Sequence, residues 1–367
     1  MADWRGLTRR DLARLVAATA LAPAAALADT GFAPVIIAEG GAAEERIEDT
    51  NSALQLAIQQ GADFLQINVV PTKEGALVAR RDNDLTKSTD VGAHPEFAAR
   101  KTTKTIGGAD VTGWFAEDFT LAELKTLLCR EAEPDLRPGN VKYDDKEPML
   151  TLGEVLQIAR DGCVRTGRVI GVCPRLIEPA YFESLDLHVG ERLAEELNSQ
   201  GYFAPAAAIW VQSADPDALK AFGRVSRVRR MQMIEPGPGA AAMTTAEALA
   251  EIRGYAEGLG PQQDLLLDPD AAVFPAPTTL AMDAHNAGLK VFSHTARGQN
   301  AYLPPTLRRR GRSPADRGDV DKLLVALFAD QVDGVATDLP NLAVRARRSV
   351  MDAMRQRRQE AQRPADG

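Results

Sequence analysis

Residues 34–70 read PVIIAEGGAAEERIEDTNSALQLAIQQGADFLQINVV. Residues 34–38 are short, apolar and β-branched, the composition of a buried strand. Residues 52–60 place Leu54, Ala57 and Ile58 at helical spacing, and Gly61 stops the run. Residues 64–70 are strand-like again. Strand, helix and strand in this order form the crossover unit that lays two strands parallel.

The alternation continues along the chain. Residues 76–79, 169–173, 207–211, 231–234, 265–267, 289–292 and 334–337 are further expected strands. Residues 121–128, 152–159, 189–197, 216–222, 246–259, 278–287 and 320–329 are expected helices, with Thr120 and Glu123 spaced as a capping box. No Gly-x-Gly-x-x-Gly opens any helix, so about eight such units predict an α/β (β/α)₈ TIM barrel over a doubly wound dinucleotide fold. Residues 87–112 and 131–148 are rich in Asp, Gly, Pro and Lys and read as long loops or a small subdomain at the C-terminal face of the strands.

Of 367 residues, 45% are hydrophobic and 26% charged, as in a soluble globular protein and unlike a disordered chain. A net charge of −8 argues against a nucleic-acid partner. Residues 1–28 hold Thr8, Arg9, Arg10 and Asp11, then a mildly apolar stretch and Ala26-Leu27-Ala28, the pattern of a twin-arginine export signal cleaved before Asp29. The expected location is therefore the periplasm. Cys129, Cys163 and Cys173 are odd in number and far apart, which predicts neither a disulfide framework nor a zinc site. The expected organisation is a signal over 1–28, a barrel over 29–348 and a basic tail over 349–367. The tail region, with Arg345, Arg347, Arg348, Arg355, Arg357, Arg358 and Arg363, reads first as a solvated helix and second as a contact for an anionic surface.

The chain resembles the bacterial periplasmic glycerophosphodiester phosphodiesterases, which are (β/α)₈ barrels. Besides residues 34–91, the matching segments are KTTKTIGGADVTGWFAEDFTLAELKTL, RPGNVKYDD, RVIGVCPRLIEPAYF, DAHNAGLKVFSHTARGQNAYLP and VDGVATDLPN. What the resemblance implies is a site of two histidines, three carboxylates holding calcium or magnesium, and an Arg and a Lys on the phosphate. The histidines serve as general acid and base. This chain departs from that pattern almost everywhere. The family's His-Arg is Glu39-Gly40, and its Pro-Glu-Asn-Thr is Ile47-Glu48-Asp49-Thr50. Its Glu-x-Asp is Gln66-Ile67-Asn68, its His-Asp is Arg81-Asp82, and its Glu-x-Lys is Arg175-Leu176-Ile177. Gly61, Asp63, Thr72, Gly75, Thr89, Gly334, Asp338 and Pro340 are kept.

The expected function is that of a catalytically inactive barrel, an accessory subunit of an envelope or membrane complex or a binder of a small anionic ligand. No metal cofactor is expected, since a hard dication needs anionic oxygens where Gln66, Asn68 and Arg175 now stand. Arg81, Arg175, Gln212 and His294 are the candidates for holding an anion. The opposing expectation is a mouth closed by Glu39 and Glu48 pairing with Arg175 and Arg81. An active diesterase rebuilt on Glu39, Glu48 and His294 is the remaining alternative. His94 and His188 fall in loops and His285 on a helix. Arg308, Arg309, Arg310 and Arg312 form a basic cluster in a further candidate docking loop.

Overall fold

The computed structural model describes residues 33–361 apart from 236, 272, 273, 275, 310 and 311. Residues 1–28, expected to be an export signal, Arg310 and residues 362–367 of the tail therefore lie outside the described residues.

Eight parallel strands close into a barrel. They are β1 (Val35–Glu39), β2 (Phe64–Pro71), β6 (Gly171–Leu176), β7 (Trp210–Ser213), β8 (Arg229–Ile234), β9 (Gly258–Pro261), β10 (Lys290–Ala296) and β11 (Gly334–Thr337), with β1 paired to both β11 and β2. The short β3 (Leu77–Ala79) runs antiparallel on β2 and is not a barrel stave. The interior is filled by Ile37, Cys173, Trp210, Met231, Met233, Phe292 and Ala336. Trp210 and Phe292 lie with ring centroids 4.9 Å apart. A Cβ on Gly258 would stand 3.0 Å from Trp210 and 3.2 Å from Phe292. A glycine strand therefore passes beside the two rings where a larger residue would overfill the barrel.

That packing corrects one expectation. Residues 265–267 are not a strand; Gln263–Leu266 is a helical turn, and the stave is β9, within and just beyond the stretch expected to be helical. Gly-Leu-Gly-Pro lacks the β-branched signature because its neighbours, not its propensity, hold it extended. The helix before it ends at Arg253. In the long loop after β3, β4 (Thr102–Ile106) and β5 (Ala109–Gly113) form an antiparallel hairpin around Gly107-Gly108, both at positive φ, as the right-handed strand twist requires.

The helix Asn51–Gln60 buries Ala53, Leu54, Ala57 and Ile58. Thr50 caps it, accepting from the Ala53 amide while its hydroxyl donates to the Ile47 carbonyl. Thr50→Ala removes both bonds and is expected to cost about 1 kcal/mol, read from a denaturant midpoint shift with unchanged slope. The last helix, Pro340–Ala361, runs through the expected boundary at 348/349 with Val350 still buried. Barrel and basic tail are thus joined by one helix, because Ala343, Ala346 and Val350 keep its inner face apolar beyond the boundary.

Candidate functional site

Strand register brings the sequence-derived positions to one end of the barrel. Glu39 is opposite Gln66, Asn68 opposite Arg175, and Arg175 opposite Gln212. Arg81 follows β3, and the Asn68 amide donates to its carbonyl at 2.6 Å. Gly40 sits at φ +61°, and a Cβ there would meet Glu48 Cβ at 2.8 Å. Ile177 packs against the hydrophobic core.

One half of this mouth is a charge network. Arg81 reaches Glu133 at 2.9 Å and Glu48 at 3.7 Å. Arg137 reaches Glu131 at 3.0 Å, Glu133 at 3.3 Å and Glu48 at 3.6 Å. Arg297 reaches Glu39 at 3.4 Å and Glu133 at 3.9 Å, and lies over the Tyr302 ring at 4.8 Å. Thr295 donates to Glu39, and Tyr302 donates to Glu133 at 2.7 Å. Burial alone would raise the Glu39 pKa; Arg297 and the Thr295 hydroxyl overcome it and hold the carboxyl below its usual range. Glu133 is likewise drawn down to about 2 against its burial, by its bonds from Arg81 and Tyr302.

The Arg81–Glu48 pair expected from the sequence is present, but Glu133 is Arg81's nearer carboxylate. Glu39 pairs with Arg297, not with Arg175. Arg297, Arg137, Glu131, Glu133 and Glu235 were not singled out from sequence. Their signals were the ends of the expected strands before Glu235 and Arg297 and the long loop holding Glu131, Glu133 and Arg137.

The other half is open. Arg175 binds Glu235 at 2.5 Å, and His294 Nε2 lies 4.0 Å from the same carboxylate. His294 is buried, and its Nε2 has no hydrogen-bond partner. Burial and then the Arg175 charge lower its pKa, so the ring is neutral near pH 7. Around it is a cavity of about 280 Å³ lined by Glu39, Arg175, Glu235, Gln262, Gln263, Asp264, His294, Thr295, Arg297 and Tyr302. Of the four anion candidates, Arg175 and His294 line the cavity. Arg81 is held in the network, and Gln212 is buried with its amide on Met231 Sδ at 3.4 Å. The other histidines bond local carboxylates: His94 with Asp90 and Glu96, His188 with Glu183 and Asp186, His285 with Asp333.

The ring does not suit a hard dication. The positions that the resemblance assigns to metal carboxylates, Gln66, Asn68 and Arg175, present two amides and a guanidinium, and a cation beside Arg175 would meet like charge. Among the described residues no three His, Cys, Asp or Glu side chains group as a metal would require.

Beneath the network Asp49 is buried at φ +60° with Oδ1 unpartnered. Burial, then the Glu48 charge, push its pKa from 3.8 up to about 8. Folding then retains a proton that the unfolded chain releases above about pH 4. The stability tied to Asp49 is full below that pH and is lost as pH rises through 8. Asp49→Asn is expected to flatten this loss and to stabilise the protein at pH 9 by on the order of 2 kcal/mol, measured as melting temperature against pH.

Fold and site together define a (β/α)₈ barrel whose strand-end ring holds paired charges and a single histidine. Residues 40–342 match the sequence model of the Glycerophosphoryl diester phosphodiesterase family, and the chain belongs to that family. It is 29% identical over 290 residues to glycerophosphodiester phosphodiesterase GDPD6 of Arabidopsis thaliana, covering 74% of this chain and 76% of that one. It is 25% identical to a glycerophosphodiester phosphodiesterase of Treponema pallidum over 88% of this chain and 94% of the relative. Among solved structures, a diesterase from Silicibacter pomeroyi superposes with a TM-score of 0.61 at 16% identity, over 88% of this chain and 95% of that chain. An Oleispira antarctica phosphodiesterase in complex with sn-glycerol-3-phosphate gives 0.56 at 20% identity, over 86% and 96%. At these identities the structural likeness shows the fold alone.

Proposed function

We propose that this chain is a non-hydrolytic member of its family, and that the open half of its mouth binds a small ligand bearing an anionic group. The observation that carries this reading is the replacement of proton-transfer and metal-holding groups by mutually paired charges: Glu39 with Arg297, Arg81 with Glu133, Arg175 with Glu235. A carboxylate held ionised by an arginine is a weak proton donor, and a guanidinium does not act as a base near pH 7. His294 is left without a second histidine in the mouth.

Ligand binding is favoured over a purely structural role by the cavity itself. It gathers Arg175, His294, Gln262, Gln263 and Tyr302 around about 280 Å³. Glu235 is the more exposed member of its pair, so an incoming anion displaces it from Arg175. The test is thermal shift with sn-glycerol 3-phosphate as probe, beside a hydrolysis assay on a glycerophosphodiester with calcium or magnesium. Saturable stabilisation that Arg175→Met and His294→Ala abolish is the expected result. Hydrolysis that the same substitutions abolish would overturn the reading in favour of a rebuilt active site.

Residues 1–28 support export to the periplasm by the twin-arginine route, where an envelope complex is the proposed partner. N-terminal sequencing of the protein from its native envelope is expected to begin at Asp29. Purification through a C-terminal tag tests for a stoichiometric partner.

A further inference from the structure

The barrel end opposite the mouth carries a feature that the ligand site does not use. Three adjacent staves, β6, β7 and β8, are entered through residues 162–170, 200–209 and 222–230. These segments contain no Asp or Glu, in a chain whose net charge is −8. They carry Arg165, Arg168, Arg224, Arg227, Arg229 and Arg230. They also hold four of the most exposed large apolar side chains: Val164 at 88%, Val169 at 73%, Phe203 at 63% and Val225 at 45%.

The segments touch one another. At the start of β6, just past the first segment, the Val172 amide donates to the Ala208 carbonyl; Arg229 donates to the Ala207 carbonyl, and Arg168 to the Ala62 carbonyl before β2. Val169 and Phe203 therefore lie on neighbouring loops at one end of the barrel, and Val225 ends the helix that leads into the third segment. The ionised groups that border this end are largely matched. Asp63 pairs with Arg168 and Arg347, Glu257 with Arg230, and Asp333 with His285 and Lys290. Asp161 accepts from Gln157, and burial raises the pKa of Asp330 to about 7. Arg165, Arg224 and Arg227 stand exposed beyond these pairs.

Branched aliphatic and aromatic side chains at loop tips (Val169, Phe203) and helix ends (Val164, Val225), interleaved with arginines and free of carboxylates, have the complement of an anionic lipid surface. The apolar tips enter the headgroup boundary while the guanidinium groups stay at the phosphates. An acidic protein surface would match the arginines but would leave Val164, Val169 and Phe203 facing charge. We propose that the strand-entry end under β6–β8 docks this protein on a bilayer of anionic lipid, which turns the mouth and its cavity away from the membrane. The chain also enters β1 from this end, at Pro34, whose carbonyl accepts from Arg347.

The test is flotation of the full chain with vesicles of phosphatidylglycerol and phosphatidylcholine, against vesicles of phosphatidylcholine alone. Binding is expected only with phosphatidylglycerol present and is expected to fall as salt rises. Each arginine near such a surface is worth roughly fivefold in partitioning, so Arg224→Gln with Arg227→Gln is expected to weaken binding roughly 30-fold. Val169→Ser with Phe203→Ser is expected to lose about tenfold or more through the apolar contribution. All four positions are exposed, so melting temperatures are expected to stay at the parent value, which separates lost docking from lost folding. Equal binding to both vesicle types, no binding, or binding unchanged in the two variants would overturn the proposal. Retention on immobilised polyglutamate without vesicle binding would also overturn it, in favour of an acidic protein partner. None of these residues lies at the mouth, so failure here leaves the ligand reading untouched, and failure there leaves this one standing.

Discussion

With a glycerophosphodiester and excess calcium or magnesium, the purified protein is expected to turn over at least roughly 10⁴-fold more slowly than a relative with both histidines. Each general acid or base typically contributes about 10²–10⁴ in rate, and here the two positions hold Glu39 and Arg81. A metal that polarises the phosphoryl oxygen adds several kcal/mol of transition-state stabilisation in enzymes that hold one. Gln66, Asn68 and Arg175 offer it no anionic oxygen. Initial rates over a range of metal concentration decide the point. A metal-dependent rate within tenfold of the relative would sink the non-hydrolytic reading.

The converse variant asks whether the scaffold has kept its geometry. It joins Glu39→His, Arg81→His, Gln66→Glu, Asn68→Asp, Arg175→Glu and Ile177→Lys. Gly40 is left unchanged, because its positive φ and the 2.8 Å approach to Glu48 Cβ leave no room for a side chain without backbone movement. Recovered hydrolysis would show that the strand ends still point where the chemistry needs them.

The second large effect is on stability. Arg137→Ala is expected to destabilise the protein by about 3–5 kcal/mol, lowering its melting temperature by roughly 5–10 °C. Arg137 is buried, and it is the cation closest to Glu131, whose side chain is likewise inaccessible. It also reaches Glu133 and Glu48. Removing the guanidinium leaves Glu131 desolvated, with the Asn140 amide at 2.9 Å as its remaining side-chain donor. Replacing both partners, as Arg137→Met with Glu131→Leu, is expected to recover much of the loss, since a buried pair contributes little net stability over apolar residues of similar volume. Thermal unfolding of the single and double variants measures both. A single variant as stable as the parent would mean that water reaches the network and screens it.

These two expectations differ in what made them visible. The substituted motif positions were legible as letters: Gln, Asn or Arg where the resemblance places a carboxylate cannot do a carboxylate's work, whatever surrounds it. The Arg137 network was not legible, because residues 131–137 form no periodic element and nothing local says which strand end they cover. Arg297 was equally silent. It follows an expected strand, yet its selection of Glu39 over other acids depends on β1 and β10 both flanking β11. The β9 stave was misread for the same kind of reason. Gly258 and Gly260 answer to Trp210, Phe292 and Met233 on nearby staves, not to their neighbours in sequence.

By itself the sequence determined the barrel, its family and the residue types that stand at the strand ends, because hydrophobic period and residue chemistry are local properties. Only the tertiary structure decided which charge meets which. Partner choice among arginines and carboxylates is set by distance and desolvation across strands far apart in the chain, and sequence spacing carries neither.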